Sequence, residues 1–597
     1  TLVGENGQLR LYMDGELIST LQHGVPLSEI LPDTGITGYI GRSLYTADPL
    51  LTANLADLKI WDRALSEEEV RQQAPTAQQL ADLFMADLTA AALGDNRSAD
   101  AVTGDLSLPA SLYGVSLAWG ASSNPEVLGD DGTVTRPMET DASASLPVQF
   151  TLNGVQYSRT LAVTVKGVDV QAELEAAAEQ LAIPGADDVR GNITLPETVG
   201  IVSVEWQTDR PDIVNVDPIP AAVEGYDDAP AGVVTRPEAD TAVTLTATLS
   251  LAGQSVQKEI RLRVKAAPEA LSDEDFTDYF FAYFAGEGYA DGEQLYFAAS
   301  QDGMNWTDLN DNKPVLTSTL GEQGVRDPFI LRSAEGDRFY MIATDLKIYG
   351  NGDWSGAQSN GSQALMIWES DDLVNWSDQR MVTVSAEIGA GCTWAPEATY
   401  DPLTGEYIVY WASRTPQIDR VHRIYYAKTR DFYTFTEPKL WIEYDQSSID
   451  TTIIEEDGVY YRYTKNEGSN TNELGAKTKT VFIETADSLL GEWTHIASDS
   501  LNANQWVEGP AIFRLNQDDR SAGEYCLLVD NYGGGGYYPL VTDDLSTGEF
   551  ARPSVSYKMP SRARHGTPMR ITAEEYSLVM QQWGGQTVDT SALAAEL

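Results

Sequence analysis

The stretch "ALMIWESDDLVNW", residues 364–376, decides how the larger part of this chain is read. A strand-forming run ends in Ser370, and Asp372 and Trp376 follow at fixed distances. Ser and Asp two residues apart are turn chemistry, because both side chains bond nearby backbone N–H groups. The same order of Ser or Thr, Asp and an aromatic recurs as Ser300/Asp302/Trp306, Thr429/Asp431/Phe435, Thr485/Asp487/Trp493 and Thr542/Asp544/Phe550. Successive aromatics stand 70, 59, 58 and 57 residues apart, which suits one four-stranded blade with its loops. Five copies predict five blades.

Working outward, each motif follows an aromatic-rich strand such as "QLYFAAS" (294–300) or "RIYYAKT" (423–429). Before that strand comes a hairpin arm opened by Gly or Asp-Gly, as in "GEYIVYWAS" (405–413) and "DGVYYRYT" (457–464). One more strand precedes each arm: "RDPFILR" (326–332), "APEATYD" (395–401), "IDTTIIE" (449–455) and "EGPAIFR" (508–514), with "HGTPMRI" (565–571) last. The first hairpin lacks such a strand and the last such strand has little after it. Pairing the two ends closes a ring and leaves no open edge. Residues 268–597 are therefore read as a five-bladed β-propeller, with the ring itself ending near 580. The five inner strands start at Asp327, Glu397, Asp450, Glu508 and His565, which the alignment places together at one mouth of the channel. Like charges gathered there cost free energy unless something uses them.

Composition narrows the partners. Ninety acidic residues against 39 basic give a net charge of −51, which argues against nucleic acid and anionic membrane surfaces. No apolar run approaches the roughly 20 residues needed to span a bilayer. Cys392 and Cys526 are the only cysteines, too few for a disulfide framework or zinc spacing. At 597 residues the chain exceeds one core, and a prior of about 150 residues per domain suggests roughly four domains. It opens at Thr1 without an apolar signal region, as expected of a processed or truncated start.

The front of the chain is read as β-sandwich modules, which makes the whole all-β. In residues 1–75, "QLRLYMDGELIST" (8–20) is a hairpin about Asp14-Gly15, "GYIGRS" (38–43) and the start of "ANLADLKIWDRALSEEEV" (53–70) read as strands, and Ser66 caps a helix with Glu69. This resembles the C-terminal half of a laminin-G or concanavalin-like jelly roll. "LAWGASSNPEVLGDDGTVTRP" (117–137) repeats as "VEWQTDRPDIVNVD" (204–217), resuming at "GVVTRP" (232–237). The two copies, 76–167 and 168–267, predict sandwiches with Trp119 and Trp206 in their cores. They resemble bacterial immunoglobulin-like modules, which are commonly spacers.

"VRDPFI" (325–330), "SIDTTIIEEDGVYY" (448–461) and "WVEGPAIF" (506–513), in that order on a five-bladed ring, resemble glycoside hydrolase family 43. The resemblance covers about residues 275–575 and implies an inverting hydrolase with two carboxyls across a cavity. It implies that Asp327 is the general base, Glu508 the general acid, and Asp450 the residue that orients Glu508 and raises its pKa. Glu397 is implied as a ligand for a substrate hydroxyl. His565 resembles a family histidine that in several members binds calcium through waters; a histidine satisfied by neighbouring hydrogen bonds is the other reading. A structural calcium ion is expected on the first reading, and no other cofactor.

Trp394, Trp506 and Tyr532 can stack on sugars or pack in blades, and Arg326 is a substrate ligand or a counter-charge. "NYGGGGYY" (531–538) reads as a rim loop. The expected substrate is a plant cell-wall polysaccharide or oligosaccharide, with release of α-L-arabinofuranosyl residues leading and β-xylosidase or galactanase activity as alternatives, xylan among the polymers. Two rivals remain: a retaining, invertase-like fructosidase and a non-catalytic carbohydrate-binding adhesin. The expected setting is an extracellular or cell-surface monomer of bacterial origin.

Overall fold

A computed structural model of the chain describes residues 1–25, 29 and 58–585. The protein is all-β, and its described residues make two compact units that divide between Glu173 and Leu174.

In the first unit the predicted hairpin is present as strands Gln8–Met13 and Glu16–Gln22, with Leu2–Glu5 added at its edge. Ser66 and Glu69 form the expected capping box on helix Glu67–Gln73. "GYIGRS" lies outside the described residues, and residues 58–61, expected in a strand, have no regular structure. Helix Ala77–Leu93 packs on the long antiparallel pair Ala142–Leu152 and Val155–Val165.

Helix Val170–Gln180 leads into the second unit, where the matching pair is Thr241–Leu251 and Gln254–Val264. Trp119 and Trp206 correspond in the two copies. Each is half-buried, and each indole N–H donates to a proline carbonyl, Pro109 at 2.9 Å and Pro196 at 3.0 Å. The prediction of core tryptophans is corrected: the polar end of each ring holds it at the edge of the core.

Five antiparallel sheets follow. Sheet I joins Gly566–Thr572 to Phe276–Tyr283, Tyr296–Ser300 and Trp306–Asp308, so the last strand pairs with the first. Sheet II runs Val325–Arg332, Phe339–Asp345, Ala364–Ser370, Arg380–Thr383, and sheet III runs Trp394–Asp401, Glu406–Arg414, His422–Thr429, Lys439–Ile442. Sheet IV runs Ser448–Glu456, Val459–Asn466, Val481–Ala486, Thr494–Ile496, and sheet V runs Glu508–Arg514, Tyr525–Asn531, Gly536–Thr542. In sheet V a fourth strand is reduced to one bridge, Val541 to Ala551.

The repeat motif has a local physical cause. Asp302 accepts the N–H groups of Met304 and Asn305 at 2.9 and 2.7 Å, and Asp372 does the same with Val374 and Asn375 at the same distances. Asp431 repeats the turn with Tyr433 and Thr434. A carboxylate satisfying two amides ends the third strand and turns the chain back. The aromatic that follows packs between sheets, as Trp306 does at 1% exposure.

Apolar clusters lie between consecutive sheets: Phe297 with Met341 (I and II), Ile342 with Val409 (II and III), Tyr410 with Ile449 (III and IV), Tyr463 with Leu527 (IV and V), and Phe281 with Phe513 (V and I). The inner strands touch in the same cyclic order.

The second immunoglobulin-like module is fixed to these sheets. Arg236, 6% exposed in its side chain, bonds both carboxylate oxygens of Asp337 at 2.8 Å, and Arg430 donates to the carbonyls of Ile193, Pro230 and Ala231. Asn192 reaches the Gly405 carbonyl at 2.9 Å. A module read as a spacer is thus packed as part of the unit. Among the described residues no helix is long and apolar enough to cross a membrane.

Candidate active site

The inner strands of sheets II to V share an irregularity at their entry. Register breaks between Arg326 and Phe329, Trp394 and Glu397, Ile449 and Thr451, and Glu508 and Ala511. At each break one residue is left-handed: Asp327 (φ 50°), Ala395 (47°), Asp450 (52°) and Gly509 (52°). These four are structural equivalents. A bulge re-aims side chains, and a non-glycine residue held left-handed costs about 1–3 kcal/mol.

The alignment of five strand starts is corrected accordingly. Asp327 and Asp450 occupy the bulge, Glu508 stands one residue before it, and Glu397 two residues beyond it.

Bonds across the sheets fix these entries. Asp327 Oδ2 accepts the Thr344 hydroxyl at 2.9 Å, and Thr344 accepts the Ala395 N–H at 2.7 Å, tying sheet II to III. Asp450 Oδ2 accepts the Gly509 N–H at 3.0 Å, tying IV to V. Tyr537 donates to the Gly509 carbonyl and accepts the Gly566 N–H, and Thr567 donates to the Pro328 carbonyl at 3.1 Å. Gly509 has a second reason to be glycine, since a Cβ there would lie 2.6 Å from the His565 ring.

His565 lies at the centre. Its Nδ1 is 3.4 Å from Asp327 Oδ1. Burial alone would lower its pKa, but the bond to Asp327 and the charges of Asp450, Asp327 and Glu397 reverse this and push it up to about 9. Burial works to raise the Asp327 carboxyl, yet the bond to His565 and the charges of His565 and Arg326 outweigh it and hold the carboxyl below its ordinary value. Asp450 is pushed up to about 6, by burial first and then by Glu508 and Asp327. Burial takes Glu397 up to about 8.

Among the described residues no group of three or more His, Cys, Asp and Glu side chains is arranged to hold a metal ion. His565 Nδ1 is engaged by Asp327, which suits the second of its two readings, a histidine satisfied by its neighbours, while a calcium ion stays what the resemblance implies. No step below runs through one.

Exposure sorts the carboxylates. The side chains of Asp327 and Glu508 are 16% and 24% exposed. Asp450, Glu397 and His565 are buried. Glu397, expected to touch a substrate hydroxyl, accepts the Tyr410 hydroxyl at 3.4 Å and a bond from Thr452.

Arg326, read as a substrate ligand or a counter-charge, is buried. It bonds Glu287 at 3.0 Å and Glu293 at 3.1 Å, between the rings of Phe284 and Trp354. Trp394 is half-buried, with His422 stacked on it at 5.5 Å. One face of Tyr532 carries the Lys465 ammonium at 4.8 Å. Trp506 is 56% exposed and left-handed at φ 65°.

Sequence reasoning missed Thr344, Lys465, Asp530 and Arg564. Lys465 and Arg564 bond the two oxygens of Glu508 at 3.0 and 2.9 Å, and Asp530 anchors Arg564. A signal existed. Thr344, Lys465 and Asp530 each pair across the sheet with the residue before a bulge, namely Arg326, Ile449 and Glu508. They form a second periodic column one strand over.

A family model described as "Probable glycosyl hydrolase domain", of the family 43-related type, matches residues 274–577. The atrophied bacterial Ig domain matches 84–168 and 174–267, and the concanavalin A-like lectin/glucanases superfamily matches 1–71. An α-L-arabinofuranosidase of Bifidobacterium longum subsp. longum is 30% identical over 560 residues, covering 85% of this chain and 50% of that protein. The chain thus spans about half the length of the curated relative it matches.

Among solved structures, a family 43 β-1,3-galactosidase with galactodeoxynojirimycin is 14% identical, with 47% of this chain and 92% of that one covered at a TM-score of 0.34. An α-L-arabinanase of Cellvibrio cellulosa with arabinohexaose is 11% identical, with 55% and 91% covered at 0.30.

Proposed function

The chain belongs to glycoside hydrolase family 43, and from that premise we propose that it is an inverting hydrolase that releases α-L-arabinofuranosyl residues from plant polysaccharide or oligosaccharide, with Asp327 as base and Glu508 as acid. The observation that carries the reading is exposure. Of the five groups at the strand entries, Asp327 and Glu508 reach solvent while Asp450, Glu397 and His565 stand behind them.

The charge states favour these roles. Asp327 is held ionised, as a base that takes a proton from water must be. Glu508 gives its proton to the departing oxygen. Water attacks the anomeric carbon as the glycosidic bond breaks, and the product has inverted configuration. Asp450 fixes the backbone next to Glu508 through the Gly509 N–H. The arabinofuranoside choice draws on the Bifidobacterium relative.

We also read the five sheets as propeller blades, supported by the cyclic order of their inner strands and of the clusters between them. The sandwich modules at the front support action outside the cell.

The deciding experiment follows hydrolysis of an aryl α-L-arabinofuranoside by proton NMR, beside the matching xyloside and galactoside. Initial release of β-arabinofuranose supports the reading. Initial release of the α anomer overturns inversion, and preference for another glycoside overturns the sugar.

A further inference from the structure

Lys465 is the last but one residue of the second strand of sheet IV, opposite Ile449 and hence beside Asp450. Its side chain is 1% exposed. The ammonium contacts two carboxylates, Glu508 Oε2 at 3.0 Å and Glu467 Oε2 at 2.8 Å, and rests over the Tyr532 ring. Glu467 in turn holds Lys479 at 2.6 Å. On the other side, Arg564 bonds Glu508 Oε1 at 2.9 Å while its Nε is fixed by Asp530 at 2.5 Å. Each cation on Glu508 is therefore backed by a second carboxylate.

This arrangement poses a problem for an acid. A side chain that must pass on a proton is bonded by a cation at each of its two oxygens. A cation left alone in a buried site would be costly. Lys465 escapes that cost because Glu467 stays bonded to it when Glu508 is neutralised, and Asp530 does the same for Arg564. The charged groups facing Glu508 are then Lys465 and Asp450 from sheet IV, Asp530 from its own sheet, and Arg564 from the entry to sheet I.

We propose that Lys465 is a positioning residue for the general acid: it holds the Glu508 carboxylate in place and yields to Glu467 when Glu508 takes up its proton. The proposal rests on the hydrolase reading above. A solvent proton binds Glu508 Oε2 and Lys465 keeps its three protons. The O–H then passes its proton to the glycosidic oxygen as the C–O bond breaks. Glu508 returns as the carboxylate that Lys465 recaptures.

The test compares two glycosides that differ only in leaving group, one methyl and one 2,4-dinitrophenyl, because a strongly acidic phenol departs without an acid. Lys465→Met is expected to lower kcat/KM about 100-fold or more on the methyl glycoside and less than about threefold on the dinitrophenyl one. Lys465→Arg, which keeps the charge, should recover most of the loss. An equal loss on both substrates in a folded Lys465→Met protein overturns the proposal.

A second measurement needs no turnover. Urea midpoints of Lys465→Met, Glu508→Gln and the double variant should be non-additive, the double losing less than the sum. Additive losses overturn the contact. If the unmodified protein cleaves neither glycoside the hydrolase reading fails, and this cycle still decides whether Lys465 holds Glu508.

Discussion

Asp450 accepts the backbone N–H of Gly509 at 3.0 Å, so the bulge carboxylate of sheet IV holds the bulge residue of sheet V, next to Glu508. The geometry at Gly509 is demanding twice over. Its φ is 52°, and the His565 ring lies where a Cβ would go. Gly509→Ala is expected to cost about 1–3 kcal/mol from the backbone alone, with more from displacing His565. Thermal unfolding should register a lower midpoint, and kcat should fall with it. An unchanged midpoint and rate would show that the close approach does not constrain the site.

The pH dependence of stability follows from the same cluster. His565 is raised from 6.5 to about 9, so its contribution is fully present below pH 6.5 and is lost as the pH rises through about 9. Glu397 is raised from 4.5 to about 8, so the native state favours its protonated form, and that advantage is present below pH 4.5 and lost as the pH rises through 8. Both signs agree. Urea midpoints should decline between pH 5 and pH 9. A tenfold gain in proton affinity is worth about 1.4 kcal/mol, so the two groups together contribute on the order of several kcal/mol. His565→Asn should remove most of the decline above pH 6.5. A flat profile for the unmodified protein would contradict the histidinium.

How much of this is legible in the sequence depends on what kind of signal each residue carries. Ser370, Asp372 and Trp376 are read easily because a turn needs side-chain acceptors at fixed spacing, and that need recurs in every sheet. Asp327 and Asp450 are legible for a similar reason, each standing at a strand entry. Glu397 is not, because a bulge shifts register by one residue without leaving a mark in composition. Two positions past the bulge it is buried and accepts the Tyr410 hydroxyl. Lys465 and Arg564 escape because their role depends on which strands are neighbours. Trp119 and Trp206 are recognisable as equivalents but sit shallower than hydrophobicity alone implies, since each indole N–H needs a carbonyl.

The two partly exposed carboxylates should fail differently. With the proposed roles, Asp327→Asn takes the base from every reaction, so activity should fall about 100-fold or more whatever the leaving group. Glu508→Gln should lose as much on a methyl glycoside and far less on a dinitrophenyl one. Steady-state kinetics on the pair of substrates reads both. A leaving-group dependence in Asp327→Asn and none in Glu508→Gln would exchange the two roles.

The fixed seating of the second immunoglobulin-like module has its own consequence. Arg236 bonds Asp337 as well as the carbonyls of Arg190, Lys265 and Ala266, so removing it leaves Asp337, 20% exposed, with only the longer 3.4 Å pair to Arg190. Breaking a buried pair from one side costs about 3–5 kcal/mol, and this partly exposed network should give less. Arg236→Ala should lower the unfolding midpoint of the full chain while leaving KM unchanged, because neither residue is among the groups at the strand entries. A chain cut at residue 268 should unfold earlier still, since it also loses the Arg430 and Asn192 contacts. Equal midpoints for the cut and full chains would return the module to the role of a spacer.

Trp506 offers the sharpest separation of binding from folding. It stands two residues before Glu508, 56% exposed, with its backbone held at φ 65°. A large indole left in solvent gains little from the fold, so its removal should cost little stability. Stacked on a sugar, the same ring would be worth about 1 kcal/mol. Trp506→Ala is therefore expected to raise KM for an arabino-oligosaccharide several-fold with kcat and the unfolding midpoint nearly unchanged. A fall in the midpoint with KM unaltered would place the ring among the packing residues instead.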